Sequence, residues 1–128
     1  MRDLHNLIAA ALALSPAVQA ATIKGLAVDL RGFNEAEAII NTGTIVSAGD
    51  FTARLQESNT TTDGDFTDVV AANQLGTLPT TLAADSAYRV GYIGSKRYVR
   101  VVLTKNGGTS IAAGAVIVKG APALAPVA

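Results

Sequence analysis

The sequence predicts an all-β protein, an antiparallel β-sandwich with jelly-roll-like connections. Three observations predict it. From residue 22 onward, apolar side chains recur with a period of two rather than 3.6. Runs rich in Val, Ile, Thr and Tyr are interrupted by Gly, Asn, Asp and Ser about every 8–14 residues, which gives roughly seven or eight short strands. Twelve glycines and many small side chains in a 128-residue chain favour close-packed strands over a roomy substrate cleft. A chain of this length makes one domain with a real core. The expected organisation is an N-terminal arm (1–21), a sandwich (22–120) and an extended C-terminal tail (121–128).

In the first segment Leu4, Leu7, Ile8, Ala11 and Leu12 fall at helical spacing, with Asp3 as a possible N-cap and Pro16 as a stop. The alternative is an extended arm that takes its shape from a neighbour. "LIAAALALSPAVQA" also has the apolar core and small-residue ending of a secretory signal. However, Arg2 is offset by Asp3, and the run falls short of the roughly 20 residues that span a bilayer. It is read as a structural arm. Ordering such an arm costs more backbone entropy than Leu4, Leu7, Ile8, Leu12, Leu14 and Val18 return on burial against the same domain. Both it and the Ala-Pro tail are therefore expected to be held by other subunits.

The strands follow in order. "GLAVDL" places Leu26, Val28 and Leu30 on one face, and "RGFNE" connects it onward. "AEAIINTGTIV" is a strand with a bulge expected at Gly43. "SAGD" is turn chemistry, and "FTARLQES" alternates Phe51, Ala53 and Leu55 against Thr52, Arg54 and Gln56. "FTDVVA" is a further strand, and "NQLGTLPTTLAADS" is a loop. "AYRVGYIG" turns Tyr88, Val90 and Tyr92 one way and Arg89 and Gly91 the other. "RYVRVVLT" sets Val99, Val101 and Leu103 against Tyr98, Arg100 and Val102. "KNGGT" reads as a hairpin turn of the Asn-Gly kind before the last strand, "SIAAGAVIVKG".

Few residues point to chemistry. Asp63, Asp65 and Asp68 crowd beside Ser58 and Thr60 to Thr62, but they lack the spacing and closing glutamate of a calcium loop. The stretch reads as a hairpin loop. A single histidine, His5, and no cysteine leave no metal-ligand spacing, no disulfide framework and no thiolate; His5 is read as a packing residue. There is no Gly-x-Ser-x-Gly elbow, no phosphate-cradling glycine loop and no acidic pair in an apolar setting. The expectation is a protein that is not an enzyme and takes no cofactor or metal. Zero net charge gives no electrostatic case for nucleic acid or an anionic membrane. The one basic, tyrosine-bearing cluster is "YRVGYIGSKRYVR", with Arg89, Lys96, Arg97 and Arg100. It could meet carboxylates on a partner protein or form the solvated face of a strand. The candidate partner-binding residues are Leu4, Leu7, Ile8 and Leu12 on the arm, and Arg97 and Arg100 in this cluster.

"LQES…DGDFTDV", "VGYIGSKRYVRVVLT" and the closing "GAVIVKG.P..APV" together resemble a family of small structural proteins of tailed bacteriophages and prophages, capsid decoration or minor capsid proteins. The resemblance runs through most of the chain from about residue 5, and "GYIGSKRYVRV" is its most specific part. It implies a virion protein on the capsid surface, assembled in the bacterial host cytoplasm. It also implies the major capsid protein as partner and a homo-oligomer, with a trimer expected from capsid geometry. It carries no catalytic motif. More distantly, "Q.S.…G.F..V" followed by "RYVRV" resembles carbohydrate-binding jelly rolls of the discoidin type, through strand and turn residues rather than sugar-contacting ones. A head–tail joining or tail protein and a carbohydrate-binding module on the virion are the alternatives.

Overall fold

A computed structural model describes residues 3–123, and they form two antiparallel sheets packed face to face. The strands are β1 (Ala9–Gln19), β2 (Ile23–Lys24), β3 (Val28–Asp29), β4 (Phe33–Val46), β5 (Asp50–Ser58), β6 (Thr67–Asp68), β7 (Gln74–Leu75), β8 (Ala87–Tyr92), β9 (Tyr98–Gly107) and β10 (Ser110–Pro122). Sheet A runs β1-β10-β4-β8-β7. Sheet B runs β2-β9-β5-β6, with β3 also on β9.

The pairing is nested. β1 pairs with β10, β2 and β3 with β9, β4 with β8, and β5 with β6. This is one long antiparallel ribbon wound up on itself, with β10 brought against β4 and β9 against β5. That winding is the jelly roll. The inner faces supply the core. Leu14, Ile40, Ile111 and Ile117 from sheet A meet Phe51, Leu55, Val101 and Leu103 from sheet B, all essentially without exposure.

The first segment departs from expectation. The helical spacing over 3–14 gives only a single 3-10 turn, His5–Leu7, and Ala9–Gln19 is an eleven-residue strand of the sandwich rather than an arm. Two forces outweigh the helix propensity of Ala and Leu, which is a weak prior. Without β1, the backbone groups of β10 from Ile111 to Lys119 would form an open edge. Pairing there also buries Ala13 and Leu14 at 0% and 1% exposure. Pro16 is tolerated because β1 is an edge strand and the register shifts between Leu14 and Ala17. At the other end Ala121 and Pro122 close β10 against Phe33. The rest of the predicted tail, 124–128, lies outside the described residues.

Three further strand readings change. "GLAVDL" splits into β2 and β3 because the chain crosses between sheets there. The Gly25 N–H donates to the Val101 carbonyl and the Leu26 N–H to the Ala13 carbonyl, each at 2.7 Å. A side chain at Gly25 would strike both carbonyls. Val28 is buried as expected, but Leu26 is 55% exposed. "KNGGT" is not a hairpin: it carries the chain from β9 in sheet B to β10 in sheet A. The Asn-Gly signal specifies a reversal, not which sheet receives the next strand. "FTDVVA" shrinks to the two-residue β6, because Phe66 and Val69 turn into packed positions on either side of it. The bulge at Gly43 is present, seen as a register shift opposite Ile111 and Ala113.

Candidate functional site

The linear basic cluster separates onto three surfaces. Arg89 lies on the outer face of sheet A, 83% exposed and 3.8 Å from Glu37. Lys96 and Arg97 sit in the loop between β8 and β9. Arg100 lies on the outer face of sheet B and is only 6% exposed.

Arg100 cannot serve as a partner contact, a correction to its sequence assignment. Its Nε and Nη2 donate to Gln56 Oε1 at 2.9 and 2.7 Å, and its Nη1 donates to Asp63 Oδ1 at 2.7 Å. The Phe66 ring covers its guanidinium at 4.1 Å. The aspartate-rich loop therefore folds back over sheet B and is latched to it. Lys24 reaches Asp63 at 2.9 Å, Arg54 reaches Asp68 at 3.3 Å, and Asp65 accepts from the Thr60 hydroxyl at 2.6 Å. Hydrogen bonds from Lys24 first, then Arg100, hold the Asp63 carboxyl below its ordinary range. The three aspartates thus secure a hairpin loop. Among the described residues no group of three or more His, Cys, Asp or Glu side chains could hold a metal ion, and His5 is exposed rather than packed.

The loops at one end of the sandwich enclose a cleft of about 390 Å³. Its walls come from the β3–β4 connection (Arg31 to Glu35), the β8–β9 loop (Gly94 to Arg97) and Asn59 after β5. These loops are tied to one another. Arg97 makes a two-pronged pair with Asp29, Nε to Oδ1 at 3.0 Å and Nη2 to Oδ2 at 2.9 Å. The Arg31 N–H donates to Asp29 Oδ1 at 3.0 Å, and the Leu30 N–H to the Arg97 carbonyl at 2.8 Å. Arg97 N–H donates to Asn59 Oδ1 at 3.3 Å, and the Lys96 N–H to the Tyr92 hydroxyl at 2.9 Å. Gly94 is required by the close return of this loop, since a Cβ there would lie 2.5 Å from the Tyr92 hydroxyl. Arg97, by its hydrogen bonds above all, holds the Asp29 carboxyl down to about 2. Burial pushes the Tyr92 hydroxyl up, with the Glu57 carboxylate adding to it.

Two of the three cations that line this cleft differ from the rest. Lys24, Arg54, Arg89, Arg97 and Arg100 face carboxylates, while Lys105 and Lys119 donate to the carbonyls of Ala20 and Asp29. Among the described residues Arg31 and Lys96 are the cations with no such partner, and both line the cleft. Neither was singled out as a binding residue from sequence. Lys96 was seen only as part of a linear run, and Arg31 sat in an apparently plain connection.

The arm candidates occupy a second surface. Leu4 and Leu7 are 64% and 49% exposed. Leu12, 48% exposed, lies opposite Val116, which lies opposite Ile39, so an apolar row crosses the outer face of sheet A. Beside it, Ile8, Leu75, Ile93 and Val118 border a groove of about 330 Å³ floored by Gly91 and Gly120. Val116, Ile39 and Val118 could not be chosen from sequence, because only the register across β1, β10 and β4 brings them beside Leu12.

No protein-family model matches the chain, and no curated protein does. Among solved structures it is similar to a structure of infectious bursal disease virus, Gx strain, at 13% identity and a TM-score of 0.44, over 88% of this chain and 31% of that one. The Gt strain structure is similar at 13% identity and a TM-score of 0.44, over 93% of this chain and 34% of that one. A crystal structure of PirA is similar at 11% identity and a TM-score of 0.41, over 94% of this chain and 98% of that one. The chain thus spans about a third of the two viral chains, and likeness at this level carries no statement of what it binds.

Proposed function

We propose that this chain is a non-enzymatic structural protein of a tailed-phage virion, which decorates the capsid and stabilises it by bridging major capsid protein subunits. The observation that carries this reading is the apolar row Leu12–Val116–Ile39 with the neighbouring groove, left exposed on the outer face of sheet A. Exposed apolar side chains rimmed by Glu35, Glu37 and Arg89 suit contact with a protein partner. Ile8 lines the same groove, and Leu4 and Leu7 are exposed a few residues before it in the chain. The sequence resemblance to phage structural proteins supports it from a separate direction. The mode of attachment differs from the one the sequence suggested. A preformed sheet face docks, rather than a loose arm, so little chain has to be ordered on binding. Arg97, already paired with Asp29, and the buried Arg100 take no part. The chain acts by mass action, binding the assembled shell and not its dissociated subunits, and does so as a homotrimer.

The test uses shells of the encoding phage stripped of this chain and incubated with the purified protein. Wild type is expected to co-sediment to saturation, and Leu12→Asp with Val116→Asp to lose at least about tenfold in affinity, since two charges would then face an apolar partner. Unchanged binding by that variant would overturn the docking surface. A copy number per particle fitting a single ring, rather than one comparable to the major capsid protein, would favour a head–tail connector instead.

A further inference from the structure

We propose that the end cleft is a binding site for an acidic saccharide, whose carboxylate is held between Arg31 and Lys96 while neighbouring hydroxyls are taken by Glu35 and Ser95. The inference goes beyond the decoration role: the cleft shares the wall Asn34, Glu35, Ala36 and Tyr92 with the groove on sheet A, but Arg31, Ser95 and Lys96 line the cleft alone, and the row Leu12–Val116–Ile39 is no part of it.

Three observations converge. First, the cleft backbone is fixed before any ligand arrives. Arg97 with Asp29, Lys96 N–H with the Tyr92 hydroxyl, and Arg97 N–H with Asn59 join its three loops. Binding therefore orders the Arg31 and Lys96 side chains but little backbone. Second, the two cations left without a partner among the described residues meet in this one place. Scattered solvated lysines and arginines would not be expected to segregate so cleanly. Third, its volume of about 390 Å³ falls within the range of small-ligand sites, roughly 300–1,000 Å³.

The lining selects among anions. Glu35 stands on the wall between the cleft and the groove, with its Oε2 near Gly120 on the groove side, and Asp29 lies directly behind Arg97. Two carboxylates so close disfavour a phosphate dianion, which brings more negative charge and no donor for Glu35. An acidic protein side chain would satisfy Arg31 and Lys96 but would leave Glu35 beside another carboxylate. A sugar acid presents one carboxylate for the cations and adjacent hydroxyl donors for Glu35, matching both signs of charge. The balanced net charge of the chain argues against a nucleic-acid backbone as the ligand.

The experiment is an amide-resolved NMR titration of the full chain with D-glucuronate and N-acetylneuraminate. D-glucose, inorganic phosphate and a blocked Asp-Glu peptide serve as comparators. At least one of the two sugar acids is expected to give saturable shifts confined to residues 30–36, 59 and 92–97, and to bind more tightly than every comparator. Arg31→Ala with Lys96→Ala should weaken that binding by about tenfold or more, the loss of a charge-assisted contact. Among the described residues neither side chain's charged end has a bonding partner, so the variant's own spectrum should remain that of a folded protein, and Lys96→Gln alone serves as a milder second variant. The proposal is overturned by absence of saturable shifts with both sugar acids, by phosphate or the peptide binding as tightly, or by folded variants that bind like wild type.

Discussion

Arg100 shows at the residue scale how far a side chain's surroundings can reverse its apparent role. In sequence it belongs to a basic run. In the fold it is the pin through which Gln56, Asp63 and Phe66 hold a loop to sheet B. Arg100→Ala would leave Gln56 Oε1 without its two donors and uncover Phe66. The expected cost is about 2–3 kcal/mol in urea unfolding. Asp63→Asn should cost clearly less, since Asp63 keeps 61% of its side chain in solvent. Equal losses from the two would mean that the ion pair, not the buried amide and ring contacts, governs the latch. Ser47 and Ala48 make a different point. Both lie at positive φ, 48° and 57°, in the turn between β4 and β5. Non-glycine residues are strained there. Replacing them with Asn-Gly, the pair suited to two such residues in succession, should stabilise the protein by about 1 kcal/mol. An unchanged urea midpoint would show that the turn is not strained.

Among the elements, β1 decides whether the N-terminal segment is an appendage or part of the fold. Removing residues 1–8 takes away the 3-10 turn and, among the described residues, no sheet pairing, so the far-UV spectrum and elution volume should be unchanged. Removing 1–19 should leave the protein unfolded or aggregated, because it bares the edge of β10 and deletes Leu14 from the core. A folded, monodisperse 20–128 fragment would restore the arm interpretation. The contrast explains what the sequence could reveal. β5, β8 and β9 were legible because each carries apolar residues at every second position of one face and lies within one sheet. β1 was not, since its alanine- and leucine-rich run favours helix by propensity and only the partner strand, almost a hundred residues away, overrides that preference. The end cleft was hidden for a related reason. Arg31 and Lys96 are distant in sequence, and they meet only because β3 and β8 end at the same pole.

For the whole molecule, acid provides a test of how the loops are tied. Asp29 titrates at about 2 in the folded protein against an ordinary 3.8, chiefly because Arg97 hydrogen-bonds its charged form. A carboxyl lowered on folding contributes stability that is complete above its ordinary value and is lost as pH falls from there towards 2. Asp63 is shifted in the same direction. The melting temperature should therefore fall between about pH 4 and pH 2, and less steeply in Asp29→Asn than in wild type. The same acid slope in both proteins would remove Asp29 from the account. Solvent screening keeps the effect modest, because the Asp29 side chain is 42% exposed.

The nested winding sets how the molecule bears load. Ala9 lies across from Lys119, so the two strands nearest the chain ends begin and finish side by side. Tension applied between those ends acts across the β1–β10 ladder rather than along it. Its hydrogen bonds then fail one after another instead of together, like a zip opened from its tab. Tethered by both ends in an optical trap, the protein should give way at low force. Anchored through the broad face of sheet A, it would share the same strain among many contacts at once.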